Sequence, residues 1–337
     1  MSTRFIDKVS VASAIRTLPG AAGIGVLGSQ VLLNVDGNLI PLSGIEPNGA
    51  VYYVDPNVGD DENDGRSWAT AFDTMAAAFA VLDSGDTIVF RGKVREQLTT
   101  PVQIFDVTII GAGNRPRHAD SSPAGGEEAA NTWTTPASGA TTAPLCKVLQ
   151  QGWRFVNILF AGPTDHACVQ LYRDAGSGND ERDAAHAEFI GCRFASGYDG
   201  ISDTGGCPDV LVQNCRFEAL THFSILGVGN IGVGQSDWKI VDNTFDGMSN
   251  GIKIAAFGCR IQNNTFTDGE TPATTVVLNT NNGGGADNFI VYNFFQTTTA
   301  NFNDPDVVGC TGDVWFNVSI DATSAGVGGN LESGKPA

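Results

Sequence analysis

The sequence is short of basic residues. Lysine and arginine together number 19, against 37 aspartate and glutamate residues, and the formal net charge is −18 at pH 7. A chain this acidic repels phosphate backbones and anionic lipid headgroups, because bringing like charges together raises the free energy. We therefore expect neither nucleic acid nor a membrane surface as a partner.

Long apolar runs are also missing. No stretch reaches the roughly 20 residues of a transmembrane helix, and the start of the chain lacks the apolar core of a signal peptide, so we expect no export signal. The 7 cysteines include no C-x-x-C pair. This excludes a zinc ribbon and argues against a disulfide framework. We expect buried free thiols and no cofactor.

What the chain does have is a recurring six-residue block. The block begins with an apolar residue, carries Asn, Gly or Asp third and ends with Phe, as in Val212–Phe217 and Ile261–Phe266. The final Phe residues, from Phe160 to Phe295, are 21 to 34 residues apart. Such uneven spacing excludes helical repeats of fixed period. It is typical of a parallel β-helix whose corner loops vary in length.

The columns of the block predict its geometry. Positions one and six cannot both face the core of one straight strand, because side chains alternate with period two. A left-handed residue at position three, where Tyr292 is the misfit, would turn the strand and restore the alternation. The fourth position then faces inward too, where stacked amides can hydrogen-bond along the axis. The predicted core ladder comprises Cys192, Cys215, Asn243, Asn264 and Asn293.

The fold class is therefore all-β, a right-handed parallel β-helix over residues 47–322. Apolar residues at helical spacing predict a short capping helix over about 72–82, which would protect the open strand edge. Residues 1–46 form a separate N-terminal module that ends in a hairpin, Val31–Ile40, turning at Asp36-Gly37. We assign residues 323–337 to a flexible tail.

A known superfamily has a similar first coil. The segment Tyr53-Val-Asp-Pro56, together with Ala71-Phe72 and Gly85-Asp-Thr-Ile88, resembles the N-terminal coil of the pectate-lyase-like β-helix superfamily. With the Asn-Asn-x-Phe coils, the resemblance covers roughly four fifths of the chain. It implies the fold strongly and activity weakly. Members of the superfamily include polysaccharide lyases, glycosidases, phage tail spikes and inert virion parts.

Catalytic members of the superfamily direct attention to carboxylates. Glycosidase members use two carboxylates on adjacent coils, and here Glu218 and Asp246 follow the core Phe in successive coils, with backbones about 5 Å apart, as a retaining pair requires. Arg216 lies on the same face as Glu218, so an ordinary exposed charge pair is the alternative interpretation. We leave enzymatic activity open and favour its absence.

Two other groups of residues are candidates for metal binding or catalysis. Asp55, Asp60 and Asp64 belong to an acidic run that could bind calcium, but the glutamate that completes an EF-hand loop is missing and a solvated turn is the alternative. We therefore predict no metal site. The 4 histidines have no Ser, Cys or Asp partner at informative spacing, which favours surface or loop positions.

One outward column is unusually aliphatic. It contains Ile190, Leu211, Val241, Phe289 and Val291, between polar residues. A free surface is rarely so apolar, so we expect either a covering loop or another subunit there. A homo-oligomer, with a trimer as one form, is the second of these expectations.

These features together predict a function. A fold used on extracellular glycans and virion surfaces, in a chain without an export signal, indicates a phage virion surface protein, either a capsid decoration or a tail spike, made in the host cytoplasm. Residues 1–46 would attach it to virion proteins, and the β-helix could bind host-surface polysaccharide. The alternatives are a polysaccharide lyase or glycoside hydrolase acting on an extracellular polysaccharide, and a non-catalytic glycan-binding module.

Overall fold

The computed structural model describes residues 24–27, 30–35, 38–41, 49–113, 131–137, 142–174, 182–227, 235–248, 250–254, 256–268, 277–279, 288–297, 307–308, 312–315, 317–321 and 328–331. Three sheets, in which neighbouring strands come from successive coils, enclose one core. The predicted right-handed parallel β-helix is confirmed, and with it the expected resemblance at the level of the fold.

The strands of each sheet follow the chain in order. Sheet 1 contains Val51–Val54, Thr87–Phe90, Thr108–Gly111, Arg154–Val156, Glu188–Ile190, Leu211–Gln213, Lys239–Val241, Arg260–Gln262, Asn288–Val291 and Gly312–Trp315. Sheet 2 contains Gly92–Arg95, Asn131–Thr134, Leu159–Ala161, Arg193–Ala195, Arg216–Glu218, Thr244–Met248, Thr265–Asp268, Phe294–Thr297, Asn317–Asp321 and Gly328–Leu331. Sheet 3 contains Leu98–Thr99, Cys146–Val148, Val169–Leu171, Ile201–Asp203, Ile225–Gly227, Ile252–Ile254, Val277–Asn279 and Val307–Val308. Gln235–Ser236 and Ala256–Phe257 form a separate parallel pair.

A left-handed residue turns each coil from sheet 1 into sheet 2. The third block position has positive φ in every described coil: Asn157 (57°), Gly191 (63°), Asn214 (53°), Asp242 (59°), Asn263 (55°) and Tyr292 (57°). The expected misfit, Tyr292, therefore adopts the same conformation as its neighbours, because the stacked coils impose the corner on whatever residue occupies it.

Aromatic rings stack along the core after this corner. The rings of Phe160, Phe194, Phe217, Phe245 and Phe266 lie nearly parallel, with centroids 5.1, 4.7, 4.9 and 4.5 Å apart. All five are buried. In-register pairing of the sheet 2 strands sets this spacing, because each strand lies one interstrand distance from the next.

The N-terminal cap is shorter than the sequence predicts. The helix spans Met75–Ala80, after a 3-10 turn at Trp68–Thr70. Phe72, expected inside the helix, instead makes a parallel bridge with Val54, and Val51–Val54 provides the first strand of the prism. The helix begins only at Met75 because Thr74 caps its N-terminus by accepting the Ala77 N–H.

The two ends of the chain are described only in part. Gln30–Val35 and Asn38–Pro41 pair antiparallel with Val35 opposite Asn38, which confirms the predicted hairpin, and Ile24–Leu27 adds a third strand. At the other end, the segment expected to be a flexible tail contributes Gly328–Leu331, which pairs antiparallel with Asn317–Asp321 and covers that edge strand. The rest of 1–46 and 323–337 lies outside the described residues.

Candidate functional site

The two candidate catalytic carboxylates lie side by side on the outer face of sheet 2. Glu218 and Asp246 are direct partners in neighbouring strands. Arg216 bridges them, because its Nε donates to Glu218 Oε2 at 2.7 Å and its Nη2 donates to Asp246 Oδ2. The Thr267 hydroxyl donates to Asp246 Oδ1 at 2.8 Å from the next coil. The predicted neighbours are thus brought together, with the predicted Arg between them.

A residue that sequence reasoning missed completes this network. Arg193, one coil earlier, donates from Nη2 to Glu218 Oε1, and its side chain is 7% exposed. Burial, and the positive charge of Arg216 beside it, lower the pKa of Arg193. Arg193 occupies the same block position as Arg216, so aligning the blocks by column would have found it. We name this cluster, Arg193, Arg216, Glu218 and Asp246, the ionic ladder.

The ladder restricts the chemistry available to its carboxylates. A retaining glycosidase needs one carboxyl group that holds a proton for the leaving oxygen and a second that attacks the sugar. Both carboxylates here accept hydrogen bonds from Arg216, and Glu218 also accepts one from Arg193. Such hydrogen bonds are typical of two ionised carboxylates that are each paired with arginine. The ladder can hold three coils together, and its remaining acceptor capacity can receive sugar hydroxyls.

The acidic run near the N-terminal cap is used for turns. Asp55 is buried, and its Oδ2 accepts from Arg91 Nε at 2.6 Å. Asp60 accepts the Glu62 N–H, and Asp64 accepts the Arg66 N–H, each at 3.0 Å. Hydrogen bonds from Thr70 and Arg66 lower the pKa of Asp64. Among the described residues, no three His, Cys, Asp or Glu side chains are grouped to hold a metal ion.

The predicted core ladder lies inside the prism. Asn243, Asn264 and Asn293 are buried, and each asparagine Nδ2 donates to a backbone carbonyl three block positions and one coil earlier. Asn243 Nδ2 also donates to Asn264 Oδ1 at 3.0 Å. Cys192 and Cys215, buried in the same column, point their thiols at the carbonyls of Phe155 and Phe189. This column is structural rather than a place where ligands enter.

A further cluster lies at the corner between sheets 2 and 3. The Tyr198 and His222 rings stack with centroids 4.4 Å apart and planes 19° apart. Phe223 meets His222 edge-on at 4.6 Å. Lys253, in the next coil, places its Nζ 5.7 Å from the centroid of the Phe223 ring. We call this set, Tyr198, His222, Phe223 and Lys253, the aromatic corner.

A buried carboxylate fixes the aromatic corner. Asp199 Oδ1 lies 2.9 Å from His222 Nδ1 and accepts the Phe223 N–H at 2.9 Å. The side chain of Asp199 is 6% exposed and that of His222 is 33% exposed. Burial raises the pKa of Asp199, against the hydrogen bond from Phe223 and the pull of His222. His222 is thus held in one orientation with its outer edge toward solvent.

This Asp-His pair was missed by sequence reasoning. The histidines were expected to have no Ser, Cys or Asp partner at informative spacing, yet His222 pairs with Asp199, 23 residues earlier in the preceding coil. His166 and His186 also lie within 4 Å of aspartates, Asp165 and Asp209. Asp199 and His222 each lie five residues after the Phe that ends their block, Phe194 and Phe217, so extending the block alignment past the Phe would have placed them in one column. His222 also lies four residues beyond Glu218, which places the aromatic corner after the ionic ladder in the same coil.

The similarities of this chain to known proteins are to solved structures. No protein-family model and no curated protein sequence matches this chain. Among solved structures, it is similar to the GH136 lacto-N-biosidase from Eubacterium ramulus, with a TM-score of 0.48, 12% identity, and coverage of 81% of this chain and 67% of that one. Pectate lyase Pel9A gives a TM-score of 0.47 and 14% identity over 81% and 78% of the chains.

A viral protein is also among the similar structures. A mutant tailspike protein of E. coli bacteriophage HK620, in complex with a pentasaccharide, gives a TM-score of 0.38 and 13% identity over 94% of this chain and 70% of that one. At these identities the similarity concerns the fold alone.

In the part of the chain that the structure describes, no helix has both the length and the apolar character needed to span a membrane.

Proposed function

We propose that this protein is a phage virion surface protein, a capsid decoration or tail spike, that binds a host-surface glycan at the aromatic corner. The observation that carries the glycan part is the Tyr198–His222 stack held in place by buried Asp199. Sugars present apolar C–H faces that pack on aromatic rings, while fixed polar groups beside the rings orient their hydroxyls. The corner offers both, on a rigid prism.

The surroundings of the corner support a binding role. The ionic ladder lies four residues earlier in the coil of His222 and presents guanidinium and carboxylate groups on the outer face of sheet 2. Because these groups are already paired with each other, they need no reorganisation to meet a ligand. A saccharide lying along the prism axis would meet the same kinds of group at successive coils.

The second candidate function is cleavage of an extracellular polysaccharide, as a lyase or glycoside hydrolase. The observation in its favour is the direct pairing of Glu218 with Asp246 on adjacent strands. Arg216, which hydrogen-bonds both carboxylates, counts against it, because neither group is arranged as a proton donor. We therefore place binding before catalysis.

The location on the virion is the remaining part of the proposal. We assign attachment to residues 1–46, through virion proteins, and association of the β-helix with further copies as a homo-oligomer. Synthesis in the host cytoplasm, followed by release on lysis, suits the 6 described cysteines, all of which are free and buried. Localisation of the protein in purified particles by electron microscopy tests this part.

Glycan binding is tested by substitution at the corner. Tyr198→Ala and His222→Ala should each weaken binding to host surface polysaccharide at least tenfold, measured by calorimetry on ligands first identified by glycan array. Tyr172→Ala is the matched control, since this partly exposed tyrosine pairs with Lys147 on another part of the surface. Equal binding by all three variants and wild type would remove the corner from the proposal, and no binding to any host polysaccharide would end the glycan part.

A further inference from the structure

The outer face of sheet 1 carries a regular column of side chains. Ile190, Gln213, Val241, Gln262 and Val291 are consecutive in-register partners across five strands. All five are partly exposed, and aliphatic residues alternate with glutamine. We call this column the sheet 1 strip.

The strip continues a column that is buried earlier in the prism. Ile110 and Val156 are outward-facing members of the same column at preceding strands, and they are 1% and 0% exposed. From Ile190 onward the equivalent positions are open to solvent. Phe289, beside the end of the strip, is 43% exposed. Partly exposed aliphatic side chains that recur on alternate strands of one sheet face indicate an interaction surface.

Charge separates this face from the rest of the chain. The column beside the strip contains the exposed cations Lys239 and Arg260, while its acid, Glu188, is paired with Arg154. The whole chain carries a net charge of −18, so most other faces of two copies repel each other. Within the sheet 1 strands that carry the strip, the exposed charged side chains are the cations Lys239 and Arg260, and exposed Asp242 borders the strip at its corner.

We infer that the sheet 1 strip is the surface on which copies of this chain meet face to face, with their prism axes parallel. The occupant must repeat at the ~4.8 Å rise of the coils to meet every strand, and a second copy does so. In the parallel arrangement aliphatic side chains face aliphatic side chains. Each glutamine faces the same glutamine, and two primary amides can each donate to and accept from the other.

The parallel direction rests on the proposed function. Attachment through residues 1–46 requires the N-terminal ends of all copies to point toward the particle, and only parallel axes allow this. The antiparallel arrangement would place Gln213 of one copy opposite Gln262 of the other, around Val241. The two arrangements therefore differ at Gln213, which faces Gln213 of the other copy only when the axes are parallel.

Cross-linking tests the surface and its direction. Gln213→Cys should form a disulfide between copies under mild oxidation and run at the mass of a dimer on non-reducing gels. Gln170→Cys is the matched control, because Gln170 is a partly exposed, outward glutamine at the middle of a sheet 3 strand, and it should remain monomeric on the gel. A cross-link at Val241→Cys but none at Gln213→Cys would overturn the parallel arrangement.

A second experiment uses charge to separate the copies. Full-length wild type should elute with the mass of an oligomer in light scattering, and Val241→Arg should reduce it to the mass of one chain with an unchanged circular dichroism spectrum. Leu226→Arg, at an outward and partly exposed position of sheet 3, should stay oligomeric. A monomeric wild type, or an oligomeric Val241→Arg, would overturn the inference, including the case in which a different protein covers the strip. Glycan binding by Tyr198→Ala is measured independently, so failure of the two proposals can be told apart.

Discussion

Asn264 and Asn293 share one side-chain oxygen across two coils. Asn293 Oδ1 accepts the backbone N–H of Asn264 at 2.9 Å and its side-chain Nδ2 at 3.0 Å. Asn264 Oδ1 makes the same pair of contacts with Asn243. One buried amide therefore satisfies the backbone of the coil before it, and its removal affects two coils.

Replacement of Asn264 by leucine should destabilise the prism. The change strands the Asn243 N–H and the Ile240 carbonyl without their partners, and each buried unsatisfied group costs about 1–3 kcal/mol. We expect the free energy of unfolding, measured by urea denaturation, to fall by roughly 3 kcal/mol, with glycan binding retained. Gln170→Leu removes a partly exposed amide and should have little effect. Equal stabilities would mean that the Asn column is not buried.

The left-handed corner can be tested where only backbone strain is at stake. Gly191 has φ +63°, and a Cβ added there meets no atom within 4 Å. Gly191→Ala should therefore cost about 1–2 kcal/mol, the strain of an L-residue in this conformation. Tyr292→Asn should change stability in the opposite direction, since Asn tolerates positive φ better than Tyr. Denaturation curves of both variants measure the two signs, and a neutral Gly191→Ala would contradict the argument.

The capping helix should respond to pH through Glu96. The carboxylate accepts the N–H groups of Met75 at 2.8 Å and Ala76 at 3.0 Å, yet burial outweighs these bonds and raises its pKa above the ordinary 4.5. The folded state then holds the proton more tightly than the unfolded state. The contribution of Glu96 to stability is therefore greatest below the ordinary pKa and is lost as pH rises through the raised one.

Glu96→Gln should remove this dependence. Urea denaturation across the window above 4.5 should show wild type gaining stability over the variant as pH falls. Parallel pH profiles for the two proteins would contradict a raised pKa, and a wild type that loses stability relative to the variant as pH falls would show that the hydrogen bonds to the helix outweigh burial.

We expect no depolymerase activity. Assays for new reducing ends and for unsaturated products, over a panel of capsular and pectic polysaccharides, should show no turnover above buffer, because Arg216 pairs both carboxylates. Turnover that Glu218→Gln or Asp246→Asn abolishes, with stability retained, would favour the lyase or hydrolase alternative.

The features predicted from the sequence are those fixed by the repeat. Apolar and Phe columns recur through the blocks, and Asn, Gly or Asp recurs at the corner with one exception, so sequence alignment of the blocks alone predicts the corner at Asn263 and the burial of Asn264. Tyr292 could not be predicted from its own preference, because the stacked coils override it. The predicted helix is too long because the apolar residues at helical spacing begin with Phe72. In the structure, Phe72 lies before the helix and makes a parallel bridge with Val54.

The candidate site depends on contacts between coils that the alignment does not contain. Arg193 and Glu218 lie in the same columns as other block residues, so their pairing follows once the strands are in register. Asp199 and His222 also share a column, five residues beyond Phe194 and Phe217, but only the folded corner shows that their side chains meet.

The Phe stack makes the prism behave as a one-dimensional chain of neighbours. Each ring from Phe194 to Phe245 has one ring above and one below, and nothing links rings two coils apart. Loss of one coil therefore weakens only the two beside it, and unfolding can start at an open end and proceed like a zipper. Under a pulling force such a stack should give way in steps of one coil, each releasing the 21 to 34 residues between successive Phe.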